Sequence, residues 1–196
     1  LQFVFPSIIM MIFTSIYSVV DGLFVSNFVG KSAFAAVNLI MPFLMGISAL
    51  GFMIGTGGSA IVAKTLGEGK IENANEYFSM LVYITAIGGI IIAILSMFLV
   101  KPVAILFGAS GTLLYNCILY GRILCISLPA FMLQNVFQSF FVTAEKPHLG
   151  LRVIVIAGVT NMVLDFLFVA VLHLGLPGAG FATVCGEFIG GLFPLF

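Results

Sequence analysis

Charged side chains are scarce in this sequence. Seven basic and seven acidic residues make up only 7% of the 196 residues, whereas apolar residues make up 62%. A soluble domain carries about a quarter charged residues. No charge occurs at all in residues 32–63, 77–100, 102–121 or 123–144, and a helix needs roughly 20 apolar residues to cross the hydrocarbon core of a bilayer. The composition therefore excludes a soluble protein and predicts an integral membrane protein.

Side chains that carry enzyme chemistry are also few. The three cysteines lie inside apolar segments without metal-ligand spacing, so we interpret Cys117, Cys125 and Cys185 as small buried side chains. His148 and His173 are far apart in sequence, and no Gly-rich phosphate-binding loop is present. We therefore expect no enzymatic activity, no cofactor and no nucleic-acid partner.

Turn-forming and charged residues divide the chain into six apolar segments. They predict an all-α six-transmembrane-helix bundle with helices at roughly 3–28, 33–63, 77–100, 113–143, 150–174 and 181–196. Lipid cannot satisfy backbone hydrogen bonds, and uninterrupted apolar runs of this length indicate helices rather than barrel strands. The charged run at 64–76 predicts a solvated loop or interfacial helix, and Pro102 predicts the end of the third helix. Because Leu1 is not Met and Phe196 lies among apolar residues, we expect a part of a longer chain.

Basic residues and glycines give two weaker signals. Four basic residues on the even-numbered connections against three on the odd-numbered ones favour a cytoplasmic location for the loops after helices two and four. The second segment carries five glycines, which indicate close helix packing or, alternatively, a bent helix near a substrate path: Gly46, Gly51, Gly55, Gly57 and Gly58.

Acids inside the apolar segments are the main functional signal. Asp21 and Asp165 lie deep in segments one and five, and Glu187 lies in segment six. A charged side chain inside a spanning helix costs at least about 2.5 kcal/mol on insertion scales, so such residues usually mark ion, proton or substrate paths. The alternative is a structural acid that caps a helix or pairs with Arg122. One arginine cannot neutralise three acids.

Two neutral oxygen-bearing side chains accompany these acids. Asn161 precedes Asp165 by four residues, so the two share one helical face, and Thr183 precedes Glu187 by the same spacing. Carboxylate, amide and hydroxyl oxygens are hard ligands that suit Na⁺, and they can also hold a proton by hydrogen bonding. Convergence of the three helices would therefore create a cation site.

Four motifs resemble multidrug and toxic compound extrusion (MATE) transporters, and together they extend over nearly the whole chain. The run 20–25 (VDGLFV) is similar to the first-helix signature, and LGEGK at 66–70 resembles the connection between helices two and three. NMVLDFLF at 161–168 resembles the family's fifth-helix motif, and GLPGAGFAT at 175–183 resembles the entry to its sixth helix.

This resemblance implies one six-helix lobe, the N-terminal one, of a two-lobe transporter in the plasma membrane. Members exchange Na⁺ or H⁺ for cationic or amphipathic drugs, so the implied partners are the bilayer, such drugs and the missing C-terminal lobe. The family's coupling-ion site falls by motif on Asp21, Asn161, Asp165 and Thr183. Glu187 departs from the family, where a neutral amide is frequent, and is a possible additional acid. A lipid-linked saccharide flippase of the same architecture remains the alternative, and it would line its cavity with Arg and Lys.

Overall fold

Six long helices form the whole bundle. The computed structural model describes residues 4–195. The helices are α1 (Val4–Phe24), α2 (Lys31–Gly67), α3 (Ile71–Leu106), α4 (Gly111–Thr143), α5 (Pro147–Asp165) and α6 (Gly175–Leu192). Each, with its adjoining turns, is long and apolar enough to cross a membrane. The prediction of an all-α bundle of six transmembrane helices is confirmed.

Helix α4 is the centre of the bundle and packs against α2, α3, α5 and α6, while α1 packs mainly against α5. Glycines allow the closest approach between α2 and α4. A Cβ added at Gly51 would lie 2.8 Å from the Cα of Met132, and one at Gly55 would lie 2.9 Å from the Cα of Val136. The packing interpretation of the α2 glycines therefore applies at these two positions, whereas Gly57 has no atom within 4 Å of an added Cβ.

Two helices widen into a π-helical turn close to the predicted acids. One turn, Val25–Val29, follows α1, and the other, Phe166–Val171, follows α5 immediately after Asp165. The two turns contact each other. π-Helical turns are rare and often occur at functional sites, because they rotate the side chains on either side relative to a regular helix.

Several predicted helix ends differ from the structure. Residues 71–76, which were predicted to be a solvated loop or an interfacial helix, form the first turns of α3. The helix is about 54 Å long, so these turns extend beyond the hydrocarbon core with Glu72 and Glu76 exposed. Pro102 does not end α3, which continues to Leu106 since a proline removes only one backbone hydrogen bond there.

The starts of α5 and α6 lie earlier than predicted, at Pro147 and Gly175. Both segments place a proline, Pro147 or Pro177, in the first helical turn, where its missing N–H costs nothing. The predicted outer limits at Phe3 and Phe196 lie outside the described residues.

Candidate functional site

Four helices bring polar side chains to one depth in the bundle. Asp21 is nine residues from Gly30, Asp165 is nine residues from Leu174, and Thr183 is eight residues from Gly175. At 1.5 Å per residue, each therefore lies about 12–14 Å from the connections on the same side of the bundle. Tyr120 on α4, nine residues from Gly111, reaches the same level. We call Asp21, Tyr120, Asn161, Asp165 and Thr183 the acid cluster.

Hydrogen bonds in the acid cluster leave several oxygens without partners. The Thr183 hydroxyl donates to the carbonyl of Ala179 at 3.1 Å and accepts from Asn161 Nδ2 at 3.5 Å. Asn161 Oδ1, both carboxyl oxygens of Asp165 and Oδ1 of Asp21 are buried and have no hydrogen-bond partner. Across the described residues, every buried side-chain polar atom that lacks a partner belongs to this cluster.

The two aspartates of the cluster are close neighbours. Their carboxyl groups are close enough to interact directly. Asp165 is fully buried, with 0% of its surface exposed. Two unpaired carboxylates side by side in a low-dielectric interior repel each other strongly, so the pair is stable only with a proton or a cation.

Tyr120 is a member of the cluster that sequence reasoning missed. Its side chain is completely buried, its hydroxyl has no hydrogen-bond partner, and it lies near Thr183 and the acids. The sequence offers no signal for it, because a tyrosine in a membrane helix is ordinary.

A small cavity opens beside the cluster. Its volume is about 110 Å³, and its wall includes the carboxyl groups of Asp21 and Glu187, the amide of Asn161 and the hydroxyl of Thr183. The remaining wall is mostly apolar and aromatic: Tyr17, Ser18, Met41, Leu44, Met45, Leu124, Leu128 and Phe131. Glu187 therefore shares the cavity with the cluster, one helical turn deeper on α6 than Thr183.

Arg122 does not neutralise these acids. It is exposed on another face of α4, beside Met97 and Tyr115. Among residues 4–195 the one ion pair joins Lys70 and Glu68 in the α2–α3 connection. The alternative of a structural pair between Arg122 and a buried acid therefore has no support in the described part of the chain.

The structure thus places Asp21, Asn161, Thr183 and Glu187 on one cavity, and Asp165 is fully buried next to Asp21. Its unpartnered groups are oxygen acceptors, which suit a proton or a hard cation such as Na⁺. Asn161 and Asp165 supply three such oxygens from one face of α5, and Asp21 adds another from α1.

Comparison with known proteins identifies the family. The MatE family model matches residues 6–167, which is most of the chain. The chain belongs to the MatE family.

Individual relatives extend the same similarity. Multidrug export protein MepA of Staphylococcus haemolyticus is 25% identical over 193 residues, which cover 98% of this chain and 43% of the relative. An outward-facing structure of a multidrug resistance MATE family transporter of the MOP superfamily shares 28% identity with a TM-score of 0.89, covering 96% of this chain and 42% of that one.

A second similar structure is that of a MOP superfamily transporter from Pyrococcus furiosus, for which the reverse polarity of the binding pocket suggests a different function. Identity is 28%, the TM-score is 0.89, and the match covers 96% of this chain and 42% of that one. The chain spans less than half the length of these relatives. The resemblance to MATE transporters is confirmed.

Proposed function

We propose that the full-length protein is a secondary active exporter that exchanges Na⁺ or H⁺ for cationic or amphipathic compounds across the plasma membrane. In this proposal the chain is the N-terminal lobe, and a C-terminal lobe completes the transporter. The observation that carries it is the acid cluster, where a buried aspartate pair and an asparagine have unpartnered oxygens. The names of the relatives, multidrug export and multidrug resistance, agree with it.

The cluster offers a physical basis for coupling. A carboxylate sealed from water is strongly destabilised unless a proton or cation neutralises it, whereas a hydrated carboxylate is not. A bound ion therefore favours the conformation that excludes water from Asp21 and Asp165. A ligand shifts a conformational equilibrium only by its difference in affinity for the two states. That difference supplies the drive for alternating access.

The acidic side chains of the cavity favour efflux of cations over transport of lipid-linked saccharides, the flippase alternative. A flippase for lipid-linked saccharides needs basic side chains to bind the pyrophosphate, whereas this cavity is lined by Asp21 and Glu187 and by no Arg or Lys among the described residues. Arg122, the basic residue that the sequence offered for that role, lies on another face of α4.

The test is Asp165→Asn in the full-length protein. The amide keeps the size of the carboxyl group and removes its charge, so cation-driven efflux of ethidium or a fluoroquinolone from energised cells should be abolished while the protein stays inserted. Blotting of membrane fractions controls for expression. Wild-type efflux at normal membrane levels would refute the coupling role of Asp165.

Orientation stays a prediction with its own test. Single cysteines in the α2–α3 connection (Glu68 to Lys70) or the α4–α5 connection (Ala144 to Lys146) should react with an impermeant maleimide only from the cytoplasmic side. Labelling from outside would invert the direction of transport that we infer.

A further inference from the structure

The charged side chains on the outer surface at one end of the bundle are all basic. The connections after α1, α3 and α5 lie at this end, and Lys31, Lys101 and Arg122 are the charged residues nearest to them. Four of the seven acidic residues lie at the opposite end, and the other three border the cavity or are buried beside it. Arg122 is exposed and forms no ion pair with any residue between 4 and 195. Because an arginine stays charged, its counter-charge comes from outside the described residues.

Two charge-free runs place Arg122 at the boundary of the hydrocarbon core. No charge occurs in residues 77–100 of α3 or in residues 123–144, nearly all of which belong to α4. About 20 residues cross the core, so each run fills it and ends near the two interfaces. The run on α3 ends before Lys101, and the run on α4 begins after Arg122. Since consecutive helices run in opposite directions, both basic residues lie at the same interface, at the level of lipid headgroups.

Arg122 lies in a groove that crosses this interface, which we call the α3–α4 groove. Its volume is about 390 Å³. Two of its lining side chains, Tyr115 and Arg122, are polar at their tips, and the others are apolar: Met97, Ile118, Leu119, Ile123 and Ile126. Apart from Met97 they form one stripe of α4 about 16 Å long. The groove therefore extends from the headgroup region into the outer part of the core.

Helix geometry brings two positive groups toward the same level of this groove. Side chains lean toward the N-terminus of their helix, so Arg122 leans out of the core and Lys101 leans toward it. Lys101 follows Met97 by four residues and therefore shares its face of α3. A guanidinium binds phosphate oxygens through two parallel hydrogen bonds, and tyrosines such as Tyr115 are typical of the headgroup level. Basic pockets between membrane helices suit the headgroups of anionic lipids.

The apolar part of the groove distinguishes a phospholipid from a free anion. Ile123 and Ile126 continue from Arg122 toward the centre of the core, and Ile126 is exposed. A phosphate ion would contact only the basic end of the groove. A phospholipid contacts both parts at once, because its phosphate and its acyl chain follow each other in the same order as Arg122 and the two isoleucines.

We propose that the α3–α4 groove binds one anionic phospholipid, whose phosphate accepts hydrogen bonds from Arg122 and whose acyl chain lies against Ile123 and Ile126. The lipid belongs to the leaflet opposite the α2–α3 connection. It lies on the outside of the bundle, whereas the acid cluster lies inside, so its binding is independent of the proposed efflux function.

The first measurement is lipid affinity. Phosphatidylglycerol or phosphatidylcholine is titrated into the delipidated full-length protein, and bound lipids are counted by native mass spectrometry. The wild type should bind one phosphatidylglycerol more tightly than any phosphatidylcholine. Loss of the charge-assisted hydrogen bonds in Arg122→Gln should weaken that lipid by about tenfold to a hundredfold, and Arg122→Lys should recover part of the affinity. Lys31→Gln, an exposed basic position at the same end on α2, is the matched control and should bind like the wild type.

The second measurement locates the lipid. A photoreactive benzoyl-phenylalanine in place of Ile126, in nanodiscs with equal parts of the two lipids, should crosslink mainly to phosphatidylglycerol, and Arg122→Gln should remove this preference. The same group in place of Ile91, exposed on α3 outside the groove, should crosslink to both lipids equally.

Three outcomes would overturn the proposal. One is the absence of a preference for phosphatidylglycerol in the wild type, or its persistence in folded Arg122→Gln. Another is displacement of phosphatidylglycerol by an equal concentration of inorganic phosphate, which would indicate a site for free anions. The third is unfolding of lipid-free Arg122→Gln under conditions where the lipid-free wild type stays folded, which would indicate that Arg122 pairs with an acid of the C-terminal lobe.

Discussion

Most hydroxyl groups in a wide cleft along α1 bond to their own helices, whereas most residues of the acid cluster have unpartnered oxygens. The cleft is bounded by α1, α2 and α4 and contains many hydroxyl groups, so we call it the hydroxyl cleft: Thr14, Ser15, Thr56, Ser59, Ser139 and Thr143. Five of these six hydroxyls donate to a backbone carbonyl three or four residues earlier, those of Ser15, Thr56, Ser59, Ser139 and Thr143. Such groups need no ligand.

The carboxylates of the acid cluster cannot satisfy themselves in this way. Carboxylate oxygens are acceptors only, and a helix interior offers them no free donor because its N–H groups are already bonded. Burial of an unpaired carboxylate costs several kcal/mol, which a bound cation or proton can recover. The contrast teaches that polarity alone does not distinguish the proposed coupling site, since the hydroxyl cleft holds as many polar groups as the cluster. Unsatisfied hydrogen-bonding capacity distinguishes it.

The largest expected effect concerns the aspartate pair. Asp21→Asn should lose cation-driven efflux as completely as Asp165→Asn, and the double variant should be no worse than either single one, because two neighbouring carboxyl groups act as one unit. Efflux from energised cells measures this. Glu76→Gln, an exposed acid on α3, is the matched control and should transport normally. Additive losses in the double variant would contradict a shared site.

A smaller effect is expected from crowding the cluster. A Cβ at Gly186 would lie 3.1 Å from the Cβ of Asn161, so Gly186→Val should push α6 away from α5 and lower stability by about 1–3 kcal/mol. Thermal unfolding of the purified full-length protein is the measurement. Gly57→Val places its side chain in open space and is the control. Equal unfolding temperatures for the two variants would show that α5 and α6 are not closely packed at the site.

Much of the fold follows from the sequence because lipid leaves few alternatives. Long uncharged runs must be helices, and the connections must carry the polar residues, so six helices in order could be predicted. The ends of the helices could not be predicted, because helices longer than the bilayer is thick extend into water. Charged residues are compatible with a helix there, so they do not mark its end. Residues 71–76 and the turn after Pro102 are the examples.

Four of the five residues of the acid cluster were predictable from the sequence, whereas their arrangement was not. Asp21 and Asp165 stand out because each is an acid in an apolar run, and Asn161 follows from the four-residue spacing. Tyr120 does not stand out, since a tyrosine in a membrane helix is ordinary. The rotation of each helix about its axis decides which helix faces converge. It depends on the π-helical turns and on the close approach of α5 and α6 at Gly186. The periodicity of the sequence predicts neither the π-helical turns nor this close approach.

Loss of the Tyr120 hydroxyl should have a moderate effect on ion binding. Tyr120→Phe removes one hydrogen-bonding group near the cluster, so affinity for the coupling ion should fall by about threefold to tenfold. Because the hydroxyl has no partner, the protein without ions should be no less stable. Thermal unfolding with increasing Na⁺, and separately at decreasing pH, reports both quantities. Tyr115→Phe, at an exposed position, is the control; a clear loss of ion-free stability in Tyr120→Phe would indicate a structural hydroxyl instead.

The smallest effect is expected in the hydroxyl cleft. Thr56 donates to the carbonyls of Phe52 and Met53, at 2.9 and 3.3 Å, and Ser59 donates to the carbonyl of Thr56 at 3.0 Å. These carbonyls already accept helical hydrogen bonds, so Thr56→Val and Ser59→Ala leave no group unsatisfied and should change stability by less than about 0.5 kcal/mol. Efflux of ethidium should stay near the wild-type rate, because hydroxyl groups bonded to their own helix offer a substrate no directional bonds. A loss of efflux comparable to that of Asp165→Asn, at normal membrane levels, would mean that these hydroxyls leave their own helix to bind the substrate, and the contrast between the two regions would then fail.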